Sequence, residues 1–270
     1  MNKMRIWCYT LAYNESHFVK NFLTAYRECE KIIVYDNMST DNTVDLLKED
    51  ARVEVRPYDS GGEIRDDLYL EMKNYAWKEA RGKADWVIIV DFDEIFCRAR
   101  LVNGFPTFDL DLREVDKRGY NIVKPCGYNM ISLNAPLYTA DHPFVHSQKG
   151  TYHVPEEKLC CFKPSEISEI RYVTGAHWAS PLDRNQGTRD IRMCLDQEWK
   201  VLHYKFWNIE LYMQKIADYQ KRLSQWNRNF GAGWHYTQSL EWHEQCFRNG
   251  EKIAQYLFDI PKPDSTFKPV

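Results

Sequence analysis

With 270 residues and 44% hydrophobic side chains, the chain can bury one large α/β domain or two small ones. A formal net charge of −3 at pH 7 offers no basic footprint for a nucleic-acid partner. The N-terminal stretch "MNKMRIWCYTLAYNE" lacks the apolar run of a signal peptide, no later stretch is long and apolar enough for a transmembrane segment, and the eight scattered cysteines suggest neither a zinc site nor a disulfide framework. The expectation is a reduced, cytoplasmic protein, with peripheral membrane contact left open.

The first hundred residues alternate strands and helices. Residues 5–12 read as a strand and 16–29 as an amphipathic helix with Ser16 as its N-cap. Residues 31–36 form a second strand, 39–50 a turn into a helix, and 52–58 a third, alternating strand. A long helix over 63–82 closes at Gly82, and 85–91 is the fourth strand. Such alternation with short links predicts a mostly parallel central sheet flanked by helices. From about residue 101 the pattern loosens. A short helix at 108–119 is followed by strand-like runs at 120–128, 157–162 and 168–174. Two helices, 208–226 and 238–257, and the Pro-rich stretch "PKPDSTFKPV" end the chain. Without repeats or low-complexity linkers, the reading is a single domain over 1–270, with an alternating half at 1–100 and an elaborated second half at 101–270.

The stretch "WVIIVDFDEIF" (86–96) drives an apolar strand directly into Asp91, Asp93 and Glu94. In open α/β sheets ligands bind at the carboxyl edge, where these acids would stand. Asp91 and Asp93 would share one face of an extended chain, and a hard divalent cation is the usual remedy for their repulsion. A solvated acidic turn would look the same in isolation. "LAYNE" (11–15) leaves strand one and "YDNMSTDNT" (35–43) leaves strand two. Alone, the second is an Asx-rich turn that caps a helix. Together they bring Tyr13, Glu15, Asp36 and Asn37 to the same sheet edge as the acids.

These three segments resemble the family 2-like glycosyltransferases of the GT-A fold, whose usual forms are P-x-Y-N-E, D-D-G-S-T-D-G-T and D-x-D. Leu11, Asn37, Met38 and Asn42 depart from those forms, as in a divergent branch. The resemblance implies that Tyr13 and Glu15 line a nucleoside pocket and that Asp36 accepts the N3–H of a uracil-type base. It implies that Asp91 lies near the ribose or a metal-bound water, and that Asp93 ligates Mn²⁺ or Mg²⁺. It also places Lys73 and Asn74 near the diphosphate, His203 as the third protein ligand of the metal, and Lys205 on a phosphate, with His177 in reserve. From spacing alone, Arg65, Tyr69 and Lys73 read as a solvated basic face, and both histidines as core residues beside aromatics.

Farther on, Lys215, Tyr219 and Arg222 share a helical face that leads into Gly231-Ala232-Gly233, with His235 and Tyr236 beyond. Such a loop could close over a diphosphate, with Arg222 as a contact, or could be a plain basic helix and loop. An inverting transferase needs a carboxylate to take the proton of the acceptor hydroxyl. Glu157 is the first choice, ahead of Glu156 and Asp141, although no spacing rule selects among them.

The reading is thus a metal-dependent hexosyltransferase, inverting, that moves a sugar from a UDP- or dTDP-linked donor to a hydroxyl of a glycan or glycoconjugate. A haloacid-dehalogenase-like phosphohydrolase with Asp91 as nucleophile is the rival enzyme. Its pattern prefers Thr or Val where Ile95 stands and needs a late acidic pair, whereas the Asp-Asp here is at 66–67, upstream. A non-catalytic nucleotide- or sugar-binding module is the third alternative.

Overall fold

The structure, a computed structural model, describes residues 3–258; the Pro-rich stretch at 261–270 lies outside the described residues. The first part runs β1 (Ile6–Ala12), α1 (Val19–Ala25), β2 (Lys31–Asp36), α2 (Thr43–Lys48), β3 (Val53–Pro57), α3 (Asp66–Tyr75) and β4 (Trp86–Ile89). There follow β5 (Glu94–Val102), β6 (Phe105–Thr107), α4 (Asp109–Lys117), β7 (Ile122–Val123), β8 (Cys126–Ile131), β9 (Lys149–Tyr152) and β10 (Cys161–Phe162). The last part holds β11 (Ile167–Glu169), β12 (Leu182–Asp183), β13 (Met193–Cys194), β14 (Trp199–Phe206), α5 (Ile209–Arg222), α6 (Gln225–Phe230), α7 (Leu240–Ile253) and β15 (Gln255–Tyr256).

A seven-stranded sheet has the order β13-β7-β10-β4-β1-β2-β3. Strands β3, β2, β1 and β4 are parallel, while β10 runs antiparallel to β4 and β7. Every residue of β4 is buried, as expected of a parallel strand covered on both faces. From β1 the chain steps to β2 and β3 on one side and to β4 on the other. The carboxyl ends of β1 and β4 therefore flank a topological switch point, the usual ligand crevice of such sheets. A second, six-stranded sheet has the order β15-β9-β8-β14-β5-β6, and β11 pairs with β12.

The turn between β4 and β5 carries the chain from one sheet to the other. Phe92 points inward and stacks on Phe22 of α1, ring centroids 4.5 Å apart. Anchoring Phe92 in the core leaves its neighbours Asp91 and Asp93 to face the crevice. Glu94 closes the turn: its side chain accepts from the Asp91 amide at 2.9 Å, and its own amide donates to the Asp91 carbonyl at 3.0 Å.

Several expected boundaries move. Helix α1 starts at Val19 with Phe18 at its N-cap; Ser16 does not cap it, and the Ser16 amide instead donates to Asp41. The helix expected at 63–82 is α-helical only from Asp66 to Tyr75 and continues as a 3₁₀ turn to Ala80. Gly82 does close it, at φ +74°. The strand-like run at 120–128 divides into β7 and β8, and that at 157–162 shrinks to β10 behind a 3₁₀ turn at Val154–Glu156. Strands β5 and β14 emerge where no strand was read. Among the described residues no helix is long and apolar enough to cross a membrane.

Candidate active site at the sheet edge

Strand β14 pairs antiparallel with β5 in a register that sets His203 opposite Glu94. The Tyr204 amide then donates to the Asp93 carbonyl at 2.7 Å. Pairing between strands distant in sequence thus delivers the imidazole to the acidic turn. His203 Nε2 lies 3.4 Å from Asp93 Oδ1. On its other side Nδ1 faces Glu156 Oε1 at 3.1 Å and Asn129 Oδ1 at 3.2 Å, two oxygens that can only accept, so Nδ1 carries a proton. Burial lowers the pKa of the ring, but Glu156 and Asp93 outweigh it and raise it to about 10.

Glu15, Asp91, Asp93, Glu94 and Glu156 each have a basic partner. Lys215 of α5 reaches Glu15 Oε1 at 2.7 Å and Asp93 Oδ2 at 3.0 Å. Lys158 Nζ contacts Asp91 Oδ2 at 2.9 Å, Glu156 Oε2 at 3.2 Å and Glu94 Oε1. Lys73 Nζ donates to Asp91 Oδ1 at 2.7 Å, and the Tyr69 hydroxyl donates to the same oxygen. Burial opposes charge on Asp93 and Glu156, yet Lys215 with His203, and Lys158 with His203, hold them well below the usual carboxylate range. For Asp91 burial prevails, with Glu94 adding to it, and the pKa is pushed up to about 7. Burial, with Lys158 next, lowers Lys73 to about 7.

The residues expected to line a nucleoside pocket lie at the ends of β1 and β2. Asp36 is buried; its Oδ2 accepts from the Ser39 amide at 3.1 Å, and its Oδ1 has no hydrogen-bond partner. An unpaired buried carboxylate oxygen is costly unless a donor arrives from a ligand. Asn37 Oδ1 accepts from the Ser60 amide and hydroxyl, which ties the loop after β3 to this corner. Arg222 covers one face of Tyr13, its guanidinium carbon 3.4 Å from the ring centroid.

Of the residues nominated from the sequence, Glu15, Lys73, Asp91, Asp93 and His203 share this contact network. Lys73 is not on a solvated face; its side chain is 1% exposed, beneath Asp91. Asn74 uses its amide on the backbone of Tyr172, donating at 3.2 Å and accepting at 2.7 Å. Lys205 donates to the Tyr236 hydroxyl at 3.2 Å. The Arg222 guanidinium donates to Gly62 O at 2.9 Å and Asp218 Oδ2 at 3.0 Å. Glu157 accepts from the Tyr152 hydroxyl and pairs with Lys124 at 3.0 Å, and Asp141 pairs with His146 at 3.2 Å. His177 donates through Nδ1 to the Pro155 carbonyl at 2.9 Å, next to Glu156. Lys158 and the bridging role of Lys215 were not foreseen, and Glu94, expected at the edge with Asp91 and Asp93, had been given no role of its own.

A divalent ion finds suitable donors here. Ligand atoms at bonds of ~2.1 Å around one ion lie roughly 3 Å apart; His203 Nε2 and Asp93 Oδ1, at 3.4 Å, match that spacing. Glu156 on the opposite ring nitrogen is the arrangement by which a carboxylate orients a metal-binding imidazole. Glu94, Glu156 and His203 also place ligand atoms within 4.8 Å of one another, but Lys158 sits on both glutamates.

No protein-family model and no curated protein matches the chain. Among solved structures it is similar to glucosyl-3-phosphoglycerate synthase from Mycobacterium tuberculosis in complex with Mn²⁺, UDP and glucosyl-3-phosphoglycerate, at 19% identity and a TM-score of 0.29. The same enzyme with Mn²⁺, UDP-glucose and phosphoglyceric acid gives 19% and 0.28. These alignments cover 46% of this chain and 44% of the other, so the chain spans less than half the length of those enzymes. 4-Diphosphocytidyl-2C-methyl-D-erythritol synthase from Anaerococcus prevotii aligns over 50% of this chain and 59% of its own, at 14% identity and a TM-score of 0.31.

Proposed function

We propose that the protein is a metal-dependent glycosyltransferase of the GT-A type, acting as a single domain. It would move a hexosyl group from a UDP- or dTDP-linked donor to a hydroxyl of a glycan or glycoconjugate, with inversion. One observation carries this reading: Glu15, Asp36, Asp91 and Asp93 from the ends of three parallel strands gather at the switch point, where His203 joins Asp93.

In this reading Tyr13 and Asp36 hold the base, and the open Asp36 Oδ1 accepts its imide N–H. Asp93 and His203 would hold Mn²⁺ or Mg²⁺, whose charge, when bound, offsets the negative charge that grows on the departing diphosphate. Glu156 fixes the His203 ring, and Lys215 keeps Glu15 and Asp93 apart in charge though close in space. The base role expected of Glu157 draws no support from its contacts, which are Tyr152 and Lys124. Asp91 as a phosphohydrolase nucleophile is poorly served, because Lys73 and Lys158 hold both its oxygens. Eight free thiols suit a cytoplasmic setting.

Isothermal titration with UDP, with and without Mn²⁺, followed by a screen of nucleotide sugars for metal-dependent hydrolysis, tests the reading. UDP binding with turnover of one donor is expected. Binding without turnover of any donor would leave a nucleotide-binding module, and no binding would overturn the proposal.

A further inference from the structure

We propose that Lys158 is the resident cation of this site, a positioning residue whose ammonium group fills the seat between Asp91, Glu94 and Glu156. In the transferase reading it leaves the exchangeable divalent ion to Asp93 and His203. Three carboxylates reach Lys158: Asp91 from the start of the β4–β5 turn, Glu94 from the first residue of β5 and Glu156 from the 3₁₀ turn before β10. Its side chain is 2% exposed, and an ammonium has three protons to give. Asp91 Oδ2 and Glu94 Oε1 accept two of them, and Glu156 Oε2 faces the ammonium as an ion-pair partner at 3.2 Å, so protein carboxylates surround the charge.

The fold makes room for this seat. At Gly127 of β8, an added Cβ would lie 2.4 Å from the Glu156 Cβ and 2.3 Å from its carbonyl carbon. Glycine there lets the 3₁₀ turn press against the sheet and bring Glu156 under Lys158. Glu156 then holds Lys158 through one oxygen and receives the His203 Nδ1–H on the other. Lys158 thereby fixes the tilt of His203 without touching it. Glu94, Glu156 and His203 place ligand atoms within 4.8 Å of one another, and Lys158 already pairs with both glutamates of that group.

Mn²⁺ alone, without nucleotide, is the probe, and thermal unfolding is the readout. It reports on the seat whether or not the chain transfers a sugar. In wild-type protein any Tm shift on adding Mn²⁺ should come from Asp93 and His203 alone and should survive Glu94→Gln. Lys158→Met, with the seat vacated, should be strongly destabilised and regain about 5–10 °C at Mn²⁺ a hundredfold above its dissociation constant. The double variant Lys158→Met/Glu94→Gln removes one charge of each sign and should fold and respond to Mn²⁺ no more than wild type. If Lys158→Met folds only when refolded with Mn²⁺, the inference stands. A folded Lys158→Met that ignores Mn²⁺ would overturn it. So would a wild-type Mn²⁺ shift that Glu94→Gln abolishes, or failure of both variants to fold with Mn²⁺ present.

Discussion

Arg222, at the last turn of α5, and Tyr13, just beyond β1, form a stack with the guanidinium carbon 3.4 Å from the ring centroid. The Ile64 amide donates to the Arg222 carbonyl at 2.7 Å, which binds the end of α5 to the loop before α3. In the proposed reading, this stack sets Arg222 with Tyr13 on the nucleoside side of the edge. Arg222→Met should weaken uridine and UDP alike, by about fivefold, the ~1 kcal/mol that such a stack contributes. Titration of both ligands checks this; a loss confined to UDP would return Arg222 to the diphosphate.

Asp36 offers the sharper test of base recognition. Its Oδ1 is buried and unpaired, while Oδ2 is held by the Ser39 amide. Asp36→Ala should weaken UDP binding by ~1.5–3 kcal/mol, the range for a hydrogen bond to a charged group. Competition titration should also show GDP to be a poor competitor. Unchanged UDP affinity in the variant would remove Asp36 from the nucleoside site.

Metal dependence should rest on the Asp93–His203 pair. Donor hydrolysis should vanish in excess EDTA and return with Mn²⁺. Asp93→Asn keeps the shape of the side chain and should abolish turnover, while circular dichroism shows an intact fold. His203→Ala should raise the Mn²⁺ concentration needed for half-maximal rate at least tenfold, in line with the effect of losing ligand support. Full activity in EDTA would refute the metal-dependent mechanism.

The imidazole also sets a pH dependence. In the folded metal-free protein His203 is raised to about 10 from an ordinary 6.5, so its contribution to stability is complete below about 6.5. That contribution is lost as pH climbs from there through 10. Thermal unfolding of metal-free protein should therefore weaken over pH 7–9.5, and His203→Gln should flatten the slope. Since metal binding needs an unprotonated Nε2, Mn²⁺ affinity should rise over the same interval. A wild-type slope identical to that of the variant would show that His203 carries no bound proton there.

The parallel strands were legible because burial on both faces demands unbroken apolar runs, and β1, β2 and β4 have them. The acids at their ends followed. Strand β5 was hidden because no Gly or Pro marks the turn before it; Phe92 in the core does that work through packing. Strand β14 went unread because its aromatic and basic residues, "WKVLHYKF", drew attention as single side chains rather than as an extended run. Lys158 and Glu156 did leave a signal. "PEEKLCCF" couples charges to a buried strand just as "IIVDFDE" does, but at the strand's start. Because β10 is antiparallel to β4, its start faces the edge where β4 ends. Strand direction was the missing fact, and a strand this short does not declare it.

The pairing of early acids with late bases has a consequence for the growing chain. Asp91, Asp93 and Glu94 leave the ribosome well before Lys158, His203 and Lys215, and carboxylates cannot be taken out of water at bearable cost without their partners. The early strands can collapse on their apolar faces and Asp91 can pair with Lys73, but Asp93 has no basic partner until β14 and α5 are translated. The last third of the chain thus acts as the folding trigger for the edge. Lys215 meets Asp93 across 122 residues of sequence, and contacts of such long separation slow folding.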